Sequence, residues 1–170
     1  MNQIQLAKDF TEKKFEEVGI QNHYLDVLNI LQNDFHIEDE PLLVAAILHD
    51  TLEDTNTTYE ELGHAFSKEV ADLVQEVSHP KNYNETQKVE YYKHLAFISA
   101  RAKMIKLADF TSHLRTFIKK RKLTPDEPYH DQYIVRIRTF LESCPESVAK
   151  KTVYDLTSEL SRYVTYHLDK

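Results

Sequence analysis

Glycine is nearly missing from this chain of 170 residues, which has two, and cysteine occurs once, at Cys144. A single cysteine excludes an internal disulfide framework and any cysteine-only zinc site. Cys144 stands at an expected helix end before Pro145 and reads as a small packed or surface residue rather than a nucleophile. Two glycines and five prolines leave few turn signals, and with 29% charged residues this suits a helical globular protein, not a disordered one. Long apolar runs are also missing. The longest, Pro41 to Leu48, is too short to span a bilayer. Lys8 and Asp9 interrupt the apolar start, so no secretory signal is expected and a cytoplasmic setting follows. Nor is there an excess of cations. The net charge of −7 argues against non-specific nucleic-acid binding. A nucleotide substrate stays open, because local basic groups or a metal can meet its charge.

Helical periodicity dominates what is there, and no alternating strand pattern persists. A first helix is expected over about 2–18, stopped by Gly19. A second begins after Asn22, with Leu25, Leu28, Ile30 and Leu31 as its apolar face. Asp39 can cap the third, with Pro41 in its opening turn. Thr57 to Glu60 reads as a capping box, and Gly63 and Ser67 mark a break before a helix carrying Val70, Leu73, Val74 and Val77. Further helices follow at roughly 85–98, 100–120, 129–143 and 146–167, with a loop at 80–84. Without repeats or linkers, this describes one compact all-α domain over 1–170.

The chemistry concentrates at the end of the third helix, in Leu48-His49-Asp50-Thr51-Leu52-Glu53-Asp54-Thr55. An apolar helix running into one His and three carboxylates places polar groups at the mouth of a core. There they are costly unless they hold a cation or one another. Glu53 lies four residues after His49 and Asp54 four after Asp50, so two polar pairs can face one cleft. His49 and Asp50 diverge by about 100° on a helix and reach one cation only if the helix end presents its edge. Further ligands must come from elsewhere, and His23 and Asp109, each on an apolar helix, can supply them. Two His and two carboxylates suit Mn²⁺, Fe²⁺ or Zn²⁺ with positions left open for water. Glu53 and Asp54 then stay free to position water and transfer protons. The alternative is a salt-bridged helix end with no cation.

In this order, His23, His49-Asp50 and Asp109 resemble the H…HD…D signature of the HD-domain metal phosphohydrolases. The block His49-Asp50-Thr51-Leu52-Glu53-Asp54-Thr55 is similar to the variant in RelA/SpoT-type alarmone hydrolases, including small single-domain members. So are Thr57-Thr58-Tyr59-Glu60-Glu61, Val70 to Ser78, and Lys106-Leu107-Ala108-Asp109 with Leu114-Arg115. The resemblance implies an HD-type helical bundle in which His23, His49, Asp50 and Asp109 bind one Mn²⁺. Glu53 and Asp54 take the water-activating and proton-transfer roles. The implied reaction is hydrolysis of the 3′-pyrophosphate of (p)ppGpp, the alarmone of the stringent response, to GDP or GTP and pyrophosphate.

The sequence departs from that family at several points. Its usual Gly-x-Pro-Tyr-x-x-His-Pro approach to the first ligand becomes Gly19-Ile20-Gln21-Asn22-His23-Tyr24. Lys13 and Lys14 match a substrate-meeting basic pair loosely, and His113 stands where the family has Asn. Four residues from Asp109, His113 shares its face and can reach metal or substrate. The family's substrate-facing Arg and Tyr have no convincing counterparts, and Gln132 and Arg136 occupy approximately their places. Lys106 and Arg115 are read as substrate contacts, with pairing to neighbouring carboxylates as their alternative. His36, His64, His79, His94, His130 and His167 read as incidental, and Lys81 as a surface lysine. Two rival functions stay open. One is an HD-type phosphatase of another nucleotide, such as NADPH or a nucleoside monophosphate. The other is a metal-bound regulatory module without turnover. The oligomeric state is not legible.

Overall fold

Every residue from Leu42 to Leu48 is apolar and buried, so this helix has no solvent side. A helix that is hydrophobic all round belongs inside a core, and α3 (Glu40–Leu48) is the axis of the molecule. The computed structural model describes residues 2–19, 23–79, 82–123 and 131–165. Around α3 pack α1 (Gln3–Glu16), α2 (His23–Asn29), α6 (Lys68–Val77) and α8 (Ala100–Leu123). The short α4 (Thr51–Asp54) touches α1, and α5 (Tyr59–Ala65) lies on α6. On the far side α10 (Val148–Thr165) covers α8 and packs on α9 (Asp131–Glu142), which meets α7 (Glu85–His94). Among the described residues there is no strand, and no helix is long and apolar enough to cross a membrane. The molecule is all-α, as expected.

Local chemistry explains the boundaries. Asn2 caps α1 by accepting from the Ile4 N–H at 2.9 Å. Gly19 follows the helix at φ +72°, a left-handed turn suited to glycine. Asp39 caps α3 by accepting from the Leu42 N–H at 3.2 Å, with Pro41 in the first turn where its missing donor costs nothing. Ser67 caps α6, whose Val70, Leu73, Val74 and Val77 bury one stripe. Each such side chain contributes about 1.5–3 kcal/mol on burial. Arg101 at the start of α8 reaches Asp39 at 2.6 Å and Glu69 at 2.5 Å, tying three helix starts together.

Four expectations needed adjustment. The second helix is α-helical only to Asn29 and continues as a π-helical turn over Ile30–Asp34. The cap expected at Thr57 belongs to Thr58, which accepts from the Glu61 N–H. Lys14 pairs with the Glu61 carboxylate at 3.0 Å, so that side chain is held away from a reciprocal cap. Gly63 sits inside α5 rather than in a break. The helix from 85 tightens to a 3₁₀ turn over Leu95–Phe97. The expected start at Tyr129 and end at His167, like Lys81 and His130, lie outside the described residues.

Candidate metal centre

The polar block after α3 begins where its own side chains end the helix. His49 Nδ1 donates to the Ala46 carbonyl at 2.8 Å, and the Thr51 hydroxyl donates to the Leu48 carbonyl at 2.7 Å. These bonds occupy carbonyls that a continuing helix would use for its own ladder. His49 and Asp50 therefore stand in the turn between α3 and α4, the edge-on arrangement that two ligands from one helix require. Asp50 precedes α4 but makes no side-chain cap, because its carboxylate turns to His49 Nε2 at 3.0 Å. The Thr11 hydroxyl donates to the Ile47 carbonyl, anchoring the turn to α1.

Because Nδ1 donates to a carbonyl, the neutral His49 ring carries its lone pair on Nε2. That atom is buried and has no aligned hydrogen-bond partner, although carboxylate oxygens lie at 3.0 Å (Asp50) and 3.9 Å (Asp109). With the ring neutral, that lone pair faces two carboxylates without a hydrogen bond, which is unfavourable and is relieved by a proton or by a cation. Burial opposes the charged ring, yet Asp50 and Asp109 outweigh it and push the His49 pKa up to about 9. The donors thus attract positive charge strongly, and the residues fit a divalent metal.

α2 and α8 complete the cluster. His23 opens α2, with Nε2 at 2.9 Å from Asp109 Oδ1 and Nδ1 at 3.3 Å from the Ser112 hydroxyl. On α8 the spacing Lys106, Asp109, Ser112, His113 puts all four side chains on one face. Asp109 divides its oxygens: Oδ2 accepts from buried Lys106, while Oδ1 faces His23 and, at 3.2 Å, His113 Nε2. Burial disfavours the Asp109 carboxylate, but Lys106, His113 and His23 hold it well below the usual range. The ligand atoms of His23, His49 and Asp50 lie within 4.8 Å of one another, and so do those of His23, Asp109 and His113.

Glu53 points to the end of α6. Its Oε1 accepts from the His79 N–H at 2.9 Å, and Oε2 lies 2.7 Å from His79 Nε2. His79 stacks on Tyr83 at 3.9 Å between centroids and meets the edge of Tyr91. The reading of His79 as incidental therefore fails; it sits 26 residues from Glu53, and nothing in the local spacing signals the contact. Ser112 was missed too, although its place three residues after Asp109 was a usable signal. Asp54 is exposed, and residual desolvation with the Asp50 and Glu53 charges raises its pKa.

The expected substrate contacts fall in different places. Lys106 is buried on Asp109, with its ammonium over the Phe110 ring at 5.1 Å. Lys14 pairs with Glu61 and Asn56, and Lys13 is exposed. Arg115 pairs with Asp34 at 2.8 Å and, with Ile118, Lys119, Lys122, Leu156 and Glu159, lines a separate cavity of about 380 Å³. Arg136 pairs with Glu85 and lies over the Tyr92 ring.

With this geometry in view, similarity to known proteins is specific. The HD domain matches residues 4–130. Guanosine-3′,5′-bis(diphosphate) 3′-pyrophosphohydrolase MESH1 of Xenopus tropicalis is 37% identical over 120 residues, covering 70% of this chain and 65% of that protein. The Homo sapiens protein of the same name is 41% identical over 125 residues, covering 66% and 68%. A solved metazoan ortholog of SpoT, described as hydrolysing ppGpp and acting in starvation responses, superposes with a TM-score of 0.73. It is 26% identical, with 98% of this chain and 96% of that one covered. The matched part of the chain spans about half to two thirds of the length of the curated relatives.

Proposed function

The chain belongs to the HD-domain family, and we propose that it is a Mn²⁺-dependent pyrophosphohydrolase that releases pyrophosphate from the 3′ position of (p)ppGpp. The observation that carries this reading is the buried, unbonded His49 Nε2 facing Asp50 and Asp109. His23, His49, Asp50 and Asp109 hold the cation, with Fe²⁺ and Zn²⁺ as the alternatives their nitrogen and oxygen donors accept. Such a cation neutralises phosphate charge and acidifies water at neutral pH. Likeness to pyrophosphohydrolases at 37% and 41% identity supports the substrate, and a nucleotide of this kind puts the activity in the cytoplasm.

Glu53 accepts the proton of the attacking water, and His79, bonded to both of its oxygens, fixes its direction. Asp54, its pKa raised by desolvation and by the neighbouring Asp50 and Glu53 carboxylates, is the group we assign to passing a proton to the departing 3′-oxygen. Water oxygen bonds to the 3′-phosphorus, the bond from phosphorus to the ribose oxygen breaks, and GDP or GTP leaves with pyrophosphate.

A second reading keeps this chemistry with a less phosphorylated nucleotide such as NADPH or a nucleoside monophosphate. It is favoured by Lys14, Lys106 and Arg115 being engaged by carboxylates of the chain. A nucleotide panel separates the two. Pyrophosphate from ppGpp supports the first reading, orthophosphate from NADPH or a monophosphate with ppGpp inert supports the second, and a metal-loaded protein inert on all of them is a regulatory module. In the first two cases Asp109→Ala abolishes release.

A further inference from the structure

Resting on the metal site proposed above, we propose that His113 is a further ligand of the same divalent cation, making the donor set three imidazoles and two carboxylates. Asp109 Oδ1 faces three imidazole nitrogens, at 2.9 Å (His23), 3.2 Å (His113) and 3.9 Å (His49), while its other oxygen is held by Lys106. One oxygen cannot accept a well-aligned hydrogen bond from all three rings and also serve a cation; a cation among them uses every lone pair at once. Donor atoms about 2.0–2.2 Å from a metal lie about 3 Å apart when adjacent and just over 4 Å apart when opposite. The two donor triads share His23 and each lies within 4.8 Å, while His113, His23 and His49 lie 3.2, 2.9 and 3.9 Å from one Asp109 oxygen.

The orientation of His113 is built in. Its place four residues after Asp109 puts it over the same helix face. Its ring lies 4.4 Å from that of His23, tilted by 32°, and stacks with Phe117 at 6.1 Å between centroids. The side chain is 44% exposed, against 2% for His49 and 7% for Asp109, so it closes the cluster on its open side. A third imidazole also moves preference from Mg²⁺ toward nitrogen-accepting metals such as Fe²⁺, Co²⁺ and Zn²⁺.

Pulsed electron paramagnetic resonance on the metal-stripped chain reloaded with Mn²⁺ counts coordinated imidazole nitrogens directly. The wild type gives three and His113→Asn gives two, with Mn²⁺ affinity weakened about 10–100-fold. His23→Asn calibrates the loss of one nitrogen, and His113→Gln with an unchanged thermal melt guards against misfolding. Two nitrogens in both wild type and His113→Asn, with affinities within about threefold, overturn the proposal while leaving the four-ligand site intact. No Mn²⁺ bound to wild type overturns the metal reading itself.

Discussion

His49 is buried against two carboxylates, so if it is a ligand as proposed, proton and metal compete for one nitrogen. With its pKa pushed up to about 9, the ring is protonated at neutral pH when no metal is present. Metal binding must therefore expel a proton. Titration of Mn²⁺ at pH 7.5 in buffers of differing ionisation enthalpy should show about one proton released per cation, more if His113 also sheds one. Release of none would mean that His49 is not a ligand. Glu53 makes a different prediction. His79→Ala frees Oε2 while the backbone N–H at position 79 still holds Oε1, and it should lower kcat by about 10-fold with Mn²⁺ affinity unchanged, since positioned acid–base groups contribute about 10²–10⁴. An equal loss of affinity would place His79 with the ligands instead. Lys106 belongs to the same scale. Lys106→Met leaves the Asp109 charge buried and should cost about 3–5 kcal/mol in metal-free protein, and less with Mn²⁺ present, by denaturant unfolding.

The helix ends carry the site, and they were the most legible part of the sequence. Asp39 with Pro41 announced the start of α3, the apolar run from Leu42 announced its burial, and His49-Asp50 its end. The four proposed ligands come from α2, the turn after α3, and α8; His23 is shared by the two donor groups that hold them, and His49 lies 3.9 Å from Asp109. What could not be read were contacts across the fold. Glu53 meeting His79 depends on how the end of α6 packs, and the carboxylates that engage Lys14 and Arg115 lie 47 and 81 residues away in sequence. The π-helical turn after Asn29 was also hidden, since the apolar spacing there suits an α-helix equally well. Asp39→Ala tests the element directly. Losing the cap of α3 and the Arg101 pairing should lower stability by about 1–2 kcal/mol without altering metal affinity. A weakened Mn²⁺ affinity would show that the cap also sets the turn at the far end of the helix.

Across the whole molecule the cluster makes stability depend on pH in a metal-sensitive way. Asp50 and Asp109 are held below the ordinary carboxylate value of 3.8, so their contribution is present above that pH and is lost as pH falls through their lower native values. His49 is raised from 6.5 to about 9, so its contribution is full below 6.5 and is lost as pH rises toward 9. Metal-free protein should therefore lose stability between these two values, whereas stabilisation by added Mn²⁺ should grow over the same interval. Thermal melts in chelator and in Mn²⁺ from pH 6 to 9 compare the slopes; parallel curves would contradict it. The most direct measurement is pyrophosphate release from ppGpp by metal-stripped protein as Mn²⁺ is added. Release should be absent in chelator, rise with occupancy of one site, and vanish in Asp109→Ala. Undiminished release in chelator, or a Mn²⁺-saturated chain that leaves ppGpp intact, would contradict the assignment of this cluster as a metal-dependent pyrophosphohydrolase centre.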